Sequence, residues 1–179
     1  MKKIAPFAIA FFPLLALFSS CKKSSPAATY SMTATLSGVP KSFNFTPPIA
    51  AISSTGGSTY IVITGIGSAS GGEEMVIQLS NESGGGPIIA GTYYDTTQNF
   101  LVSVSCTLNP NAVYLAGSVV AEFASISGIT IVNHLKVVIT SISSTAIKGT
   151  FSGDFYTNGD PTLAKIPITN GNFYAKFQP

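Results

Sequence analysis

From Tyr30 onward the chain alternates apolar and polar residues with a period of two. Tyr30, Met32, Ala34 and Leu36 alternate with Ser31, Thr33 and Thr35, and Met75, Ile77 and Leu79 with Val76, Gln78 and Ser80. Phe100, Val102, Val104 and Cys106 oppose Leu101, Ser103, Ser105 and Thr107; Leu135, Val137 and Ile139 oppose His134, Lys136, Val138 and Thr140. Ile147, Phe151 and Phe155 and, near the end, Phe173, Ala175 and Phe177 form two more such sets. Residues two apart share one face of a strand, so each run offers an apolar face to a core. Tyr60 to Ile66 is apolar on both faces, the pattern of a central strand.

The runs are punctuated at Ser37-Gly38, Ser70-Gly71-Gly72, Ser83 to Pro87, Asn109-Pro110-Asn111, Asn158-Gly159-Asp160-Pro161 and Asn170-Gly171. These are residue types that supply positive or fixed φ at turns. Helical spacing is absent, with residues 112–125 left open. The pattern predicts an all-β fold, a single β-sandwich or barrel of about eight to ten mostly antiparallel strands over residues 30–179. A domain of that size buries close to 70% of its unfolded surface, enough for one core without disulfides.

The first residues follow a different rule. Met1-Lys2-Lys3 is basic, Ile4 to Phe18 is apolar but interrupted by Pro6 and Pro13, and the small residues Ser19-Ser20 precede Cys21. A membrane-crossing helix needs about 20 apolar residues, so residues 1–20 read as a secretory signal peptide. Leu17-Phe18-Ser19-Ser20-Cys21-Lys22-Lys23 resembles the lipobox of bacterial lipoproteins, in the form seen in Bacteroidota. The resemblance implies cleavage before Cys21, a diacylglyceryl group on its thiol and a lipid anchor, with residues 21–29 as lipidated cysteine and tether. By the same resemblance, the absence of an Asp at position 22 or of an acidic cluster near it places the protein in the outer membrane, facing the periplasm. The segments Lys148 to Phe155 and Ile168 to Phe173 resemble the C-terminal half of small β-rich Bacteroidota lipoproteins, a group with no established activity to carry over.

Charge and composition then narrow the function. Only 9% of the 179 residues are charged, there is no Arg, and loss of Lys2 and Lys3 leaves seven lysines against seven acids. A neutral chain with scattered lysines offers no stripe to neutralise phosphates, which excludes nucleic acid as a partner. With Cys21 lipidated, Cys106 has no disulfide partner and reads as a small buried hydrophobe.

Catalytic chemistry is sparse. The single histidine, His134, falls on the polar side of a strand pattern, and no G-x-S-x-G elbow accompanies it. Glu73 and Glu74 are adjacent and point to opposite faces, so they cannot flank one glycosidic bond. Asp154, Asn158 and Asp160 lack the spacing of a calcium loop, and one histidine without a thiol pair makes no transition-metal site. No cofactor is expected. The reading is therefore a non-enzymatic envelope protein with a binding or structural role. The alternative is a glycan- or peptide-binding β-sandwich, with a hydrolase a distant third. Tyr93, Tyr94, Asp95 and Tyr156 are the candidate ligand-binding residues, as tyrosines beside turns that could present a platform to a sugar. The few charges guarding the strand edges add a further expectation, association with another envelope protein or with a second copy.

Overall fold

The computed structural model describes residues 29–70, 72–82, 85–109 and 112–179. The signal peptide, Cys21 and all of the tether except Thr29 lie outside these residues. Eleven strands and one short helix follow in order: β1 (Ser31–Leu36), β2 (Val39–Ser42), β3 (Thr46–Thr55), β4 (Ser58–Ile66), β5 (Glu74–Asn81), β6 (Gly91–Tyr94), β7 (Phe100–Asn109), β8 (Ala112–Gly117), α1 (Ser118–Ile126), β9 (Lys136–Ile142), β10 (Ala146–Thr157) and β11 (Lys165–Phe177). The fold is all-β and mostly antiparallel, as the period-two pattern predicts, with one strand more than the upper expectation.

All the strands belong to one hydrogen-bonded sheet, in the order β2-β1-β11-β3-β4-β5-β7-β8-β10-β9-β6, with β10 and β11 also paired to each other. That last pairing closes β11-β3-β4-β5-β7-β8-β10 into a ring. The two closing seams are short. Lys176 and Phe177 of β11 pair with Ile49 and Ala50 in parallel, and Tyr156 and Thr157 of β10 pair with Leu115 and Tyr114. Beyond the seams, β1 and β9 continue outward from β11 and β10. The result is two layers, β2-β1-β11-β10-β9-β6 over β3-β4-β5-β7-β8, joined at opposite ends of the β10–β11 ribbon.

The alternating apolar faces meet between these layers. Met32, Phe43, Ile61, Ile63, Met75, Ile77, Val104, Cys106, Val137, Ile147, Phe155 and Phe173 are among its core residues. Tyr60 to Ile66 forms the body of β4 and lies between β3 and β5, a central position. Gly149 makes room for a ring: a Cβ there would sit 2.1 Å from the Val138 carbonyl oxygen and 2.4 Å from the Phe173 ring.

Two details depart from the sequence reading. Asn170-Gly171 does not end a strand. Asn170 takes a positive φ of 51° inside β11, on the segment where the β10–β11 and β1–β11 registers shift, so the residues bend a continuous strand. Residues 112–125 divide into strand and helix at Gly117, whose φ is 141° and where a Cβ would lie 2.3 Å from the Val102 carbonyl oxygen. Helix α1 hides its spacing because Val119, Phe123 and Ile126 on its outer side are exposed and apolar, while only Val120 and Ala124 are buried. Glu122 is on the exposed side of that helix.

Cys106 is fully buried and free, as expected for a packed thiol. Burial, with the Glu73 charge adding to it, pushes its pKa up from 9.0 to about 12. The folded state therefore holds this proton over a pH range where the unfolded chain releases it. Its contribution is complete below pH 9 and is lost as pH rises towards 12, at about 1.4 kcal/mol per unit. The expected outcome is a thermal midpoint that falls more steeply between pH 9 and 11 in the native sequence than in Cys106→Val. Equal slopes in a differential scanning calorimetry series would show that the thiol is not the titrating group.

Candidate functional site

Among the described residues the buried charged side chains converge on one segment, residues 133–135, between α1 and β9. Asp95 and Asp154 are 6% and 3% exposed. Asp95 follows β6 and holds the segment from one side. Its backbone N–H donates to the Leu135 carbonyl at 3.1 Å, while its carboxylate accepts the Leu135 N–H at 3.0 Å. Asp154 on β10 holds it from the other. Its N–H donates to the Asn133 carbonyl at 2.9 Å, and its Oδ2 accepts the Asn133 amide at 3.2 Å and the Lys165 ammonium at 2.6 Å.

His134 lies between the two clamps, with Nδ1 2.8 Å from Asp95 Oδ1. The carboxylate accepts the Nδ1 hydrogen, which leaves Nε2 as the nitrogen available to a ligand. His134 is thus in a loop, held by a buried acid, and does not lie on the polar face of a strand. The hydrogen bond to Asp154 raises the Lys165 pKa.

A cleft of about 460 Å³ opens beside this arrangement, lined by Tyr94, Asn133, His134, Lys136, Ser152 and Thr169 among others. Tyr94 is 42% exposed, and the Lys136 ammonium stands 5.9 Å from its ring centroid. One cleft thus combines an aromatic ring, a cation, an imidazole and two hydroxyls. Such a mixture suits a ligand carrying both apolar faces and hydroxyl groups.

The four residues singled out from the sequence fare differently. Tyr94 lines the cleft, and Asp95 supports it from beneath without being accessible. Tyr93 is buried: its hydroxyl accepts the Ile89 N–H at 2.9 Å and donates to the Ile89 carbonyl at 2.8 Å, and its ring meets Phe100 edge-on at 5.2 Å. Adjacent strand residues point to opposite faces, so Tyr93 and Tyr94 could not both be presented. Tyr156 is buried with Val120, Ala124 and Ile131 beneath α1, which raises its pKa, so its ring is not a platform.

The sequence pattern does not bring Asn133, Lys136 and Lys165 together, and it offers Asp154 only beside Asn158 and Asp160, without the spacing of a calcium loop. The available signal was scarcity. In a body with so few charges, Asp154 and Lys165 fall on either side of the Asn158-Gly159 turn, and the register makes them diagonal neighbours, with Lys165 opposite Tyr156 and Asp154 opposite Pro167. Asn158 and Gly159 take positive φ at that turn, and Asp160 bonds to Thr162, which lowers its pKa. Among the described residues no group of three or more His, Cys, Asp or Glu could hold a metal ion. Glu73 is paired with Lys41 at 2.7 Å, away from the cleft.

Comparison with known proteins gives no match, whether to a family model, a curated protein or a solved structure. The cleft therefore has to be interpreted from its own chemistry. An Asp–His pair is two parts of a nucleophilic relay, but among the described residues no serine or threonine hydroxyl is hydrogen-bonded to the His134 ring.

Asp154 is buried while the Lys165 ammonium is half exposed, so the cost of breaking the clamp falls on the buried carboxylate and on the Asn133 amide left unpaired. Asp154→Ala leaves Lys165 and Asn133 without their acceptor and is expected to lower the unfolding midpoint in urea strongly. Lys165→Met, which strands the buried carboxylate instead, should do the same. An unfolding midpoint unchanged in both variants would show that the clamp is not structural.

Proposed function

We propose that this protein is a lipid-anchored component of the outer membrane that faces the periplasm and captures a hydroxyl-rich ligand, a glycan, without transforming it. The observation that carries the binding reading is the cleft at Tyr94, His134 and Lys136, whose floor is held by the buried Asp95 and Asp154. A floor fixed by hydrogen bonds to two buried carboxylates loses little freedom on binding, so more of the contact energy is realised as affinity. Sugars present both C–H faces and hydroxyls. The Tyr94 ring suits the first, and Lys136, His134, Ser152 and Thr169 offer donors and acceptors for the second. The anchor reading rests on the lipobox resemblance of residues 17–23 and is independent of the cleft.

The two parts have separate tests. Mass spectrometry of the membrane-extracted protein is expected to find an acylated Cys21 as its first residue, and a mature chain retaining Met1 overturns the anchor. Calorimetric titration of the purified protein with a panel of soluble oligosaccharides is expected to find binding that weakens at least tenfold in both Tyr94→Ala and Lys136→Ala, about 1.4 kcal/mol for each. Binding by no member of the panel, or binding that survives both changes, overturns the cleft assignment. Turnover of a bound oligosaccharide that His134→Ala abolishes would replace capture with hydrolysis.

A further inference from the structure

The free strand edges of the two layers are not equally protected. β2 carries Pro40 and Lys41, and β6 is four residues long. β3 is different. Its outer edge is joined to β11 only at Ile49 and Ala50, with a last hydrogen bond from the Gln178 N–H to the Ala50 carbonyl at 2.9 Å. From Ala51 to Thr55 no described strand pairs with that side, all five residues are exposed, and none is proline or charged. Proline, lysine or a bulge normally blunts an edge of this kind.

The polarity of the edge can be worked out residue by residue. The two-residue Gly56-Gly57 turn, with φ of 61° and 83°, closes the Thr55–Ser58 pair. In such a hairpin the closing pair is the hydrogen-bonded one, and the pattern then alternates. Thr55, Ser53 and Ala51 therefore bond to β4, while the N–H and C=O of Ile52 and Ser54 face the open edge. The Ala50 carbonyl, used by Gln178 on that same side, fits the alternation.

A second observation concerns Ile52. Its cross-strand neighbour is Ile61, which is completely buried, so Ile52 is on the core side of the sheet. It is nevertheless 54% exposed, with no described residue paired beside it on the β11 side. An apolar side chain on the inner face and an open backbone edge coincide on one residue.

We propose that β3 pairs through Ala51–Thr55 with the same segment of a second copy of this chain, antiparallel about a two-fold axis at Ser53. This register places Ile52 opposite Ser54 of the second copy, and Ser54 opposite its Ile52. The four outward groups of each strand then form four hydrogen bonds between the copies, with none left over. The two Ile52 side chains become diagonal neighbours on the inner face, a separation of about 7–8 Å that large side chains bridge. Each finds in the other the cover that its own chain does not provide. The segment 51–62 contains no charged residue, so the copies meet without repulsion. A five-residue free edge also accommodates the pairing without displacing Gln178 from Ala50.

The register makes the proposal testable in full-length protein in its native membrane, by oxidising single-cysteine variants with copper phenanthroline. At the axis the two Ser53 positions form a non-hydrogen-bonded pair, with Cα atoms about 4.5 Å apart, within disulfide reach. Ser53→Cys is expected to give at least tenfold more disulfide-linked homodimer than the native sequence. Ala51→Cys or Thr55→Cys alone should not, since each is offset from its twin by about 14 Å along the strand. Co-expressing those two variants should restore a mixed dimer. Ser54→Pro, which removes an outward N–H, and Ile52→Lys, which places like charges together, should each suppress the Ser53→Cys product at least tenfold while the thermal midpoint is retained. Homodimer no higher than the native background overturns the proposal. So does equal linkage at positions 51, 53 and 55, which indicates random collision, or linkage of Ser53→Cys to other proteins only.

Discussion

The β10–β11 ribbon is the constraint on which the rest of the structure depends. These are the two longest strands, and they pair from Ala146 with Lys176 to Tyr156 with Lys165. Each hands over its outer edge part-way along. β11 gives its edge to β1 and then to β3, and β10 gives its edge to β9 and then to β8. β10 shifts register at Phe151/Gly153, close to its change of partner from β9 to β8, while β11 bends around Asn170 within its pairing with β1 and passes to β3 only at Lys176. Loss of that bending would leave two separate sheets with edges exposed at both seams.

The same ribbon decides where charge can be buried. Asp154 lies near its β10 end and Lys165 at the start of β11, close enough for a short ion pair. Asp154 also holds Asn133, and Asp95 holds Leu135, so a loop carrying the single histidine is pinned to the sheet at both ends. In a body so poor in charge, both carboxylates buried most deeply serve one segment. That segment forms a wall of the cleft, which links the geometry of the core directly to the binding surface.

The ring closure also explains the open edge on β3. Only Lys176 and Phe177 at the end of β11 pair with β3, so among the described residues Ala51 to Thr55 have a strand partner on one side only. A longer seam would have covered Ile52 and completed the barrel. The short seam leaves the two layers as a sandwich whose corner exposes inward-facing apolar surface.

The sequence by itself determined the class of fold and most of the core, because strand periodicity is local. Met32, Met75, Val104, Cys106, Ile147, Phe155 and Phe173 all fall on apolar faces readable without any partner, and the Asn158-Gly159 turn is a property of two residues. It could not determine which of two neighbouring tyrosines would face outward, since alternation gives two faces and only pairing with β9 says which is the core. Helix α1 has no readable period because its exposed side, with Val119, Phe123 and Ile126, is as apolar as its buried one. The clamp on His134 was illegible for another reason: Asp95 and His134 are far apart in sequence, and their meeting depends on β6 pairing with β9 at one register. Tertiary structure alone made that choice, because a buried carboxylate needs donors supplied by another strand, and local sequence cannot say which strand that will be.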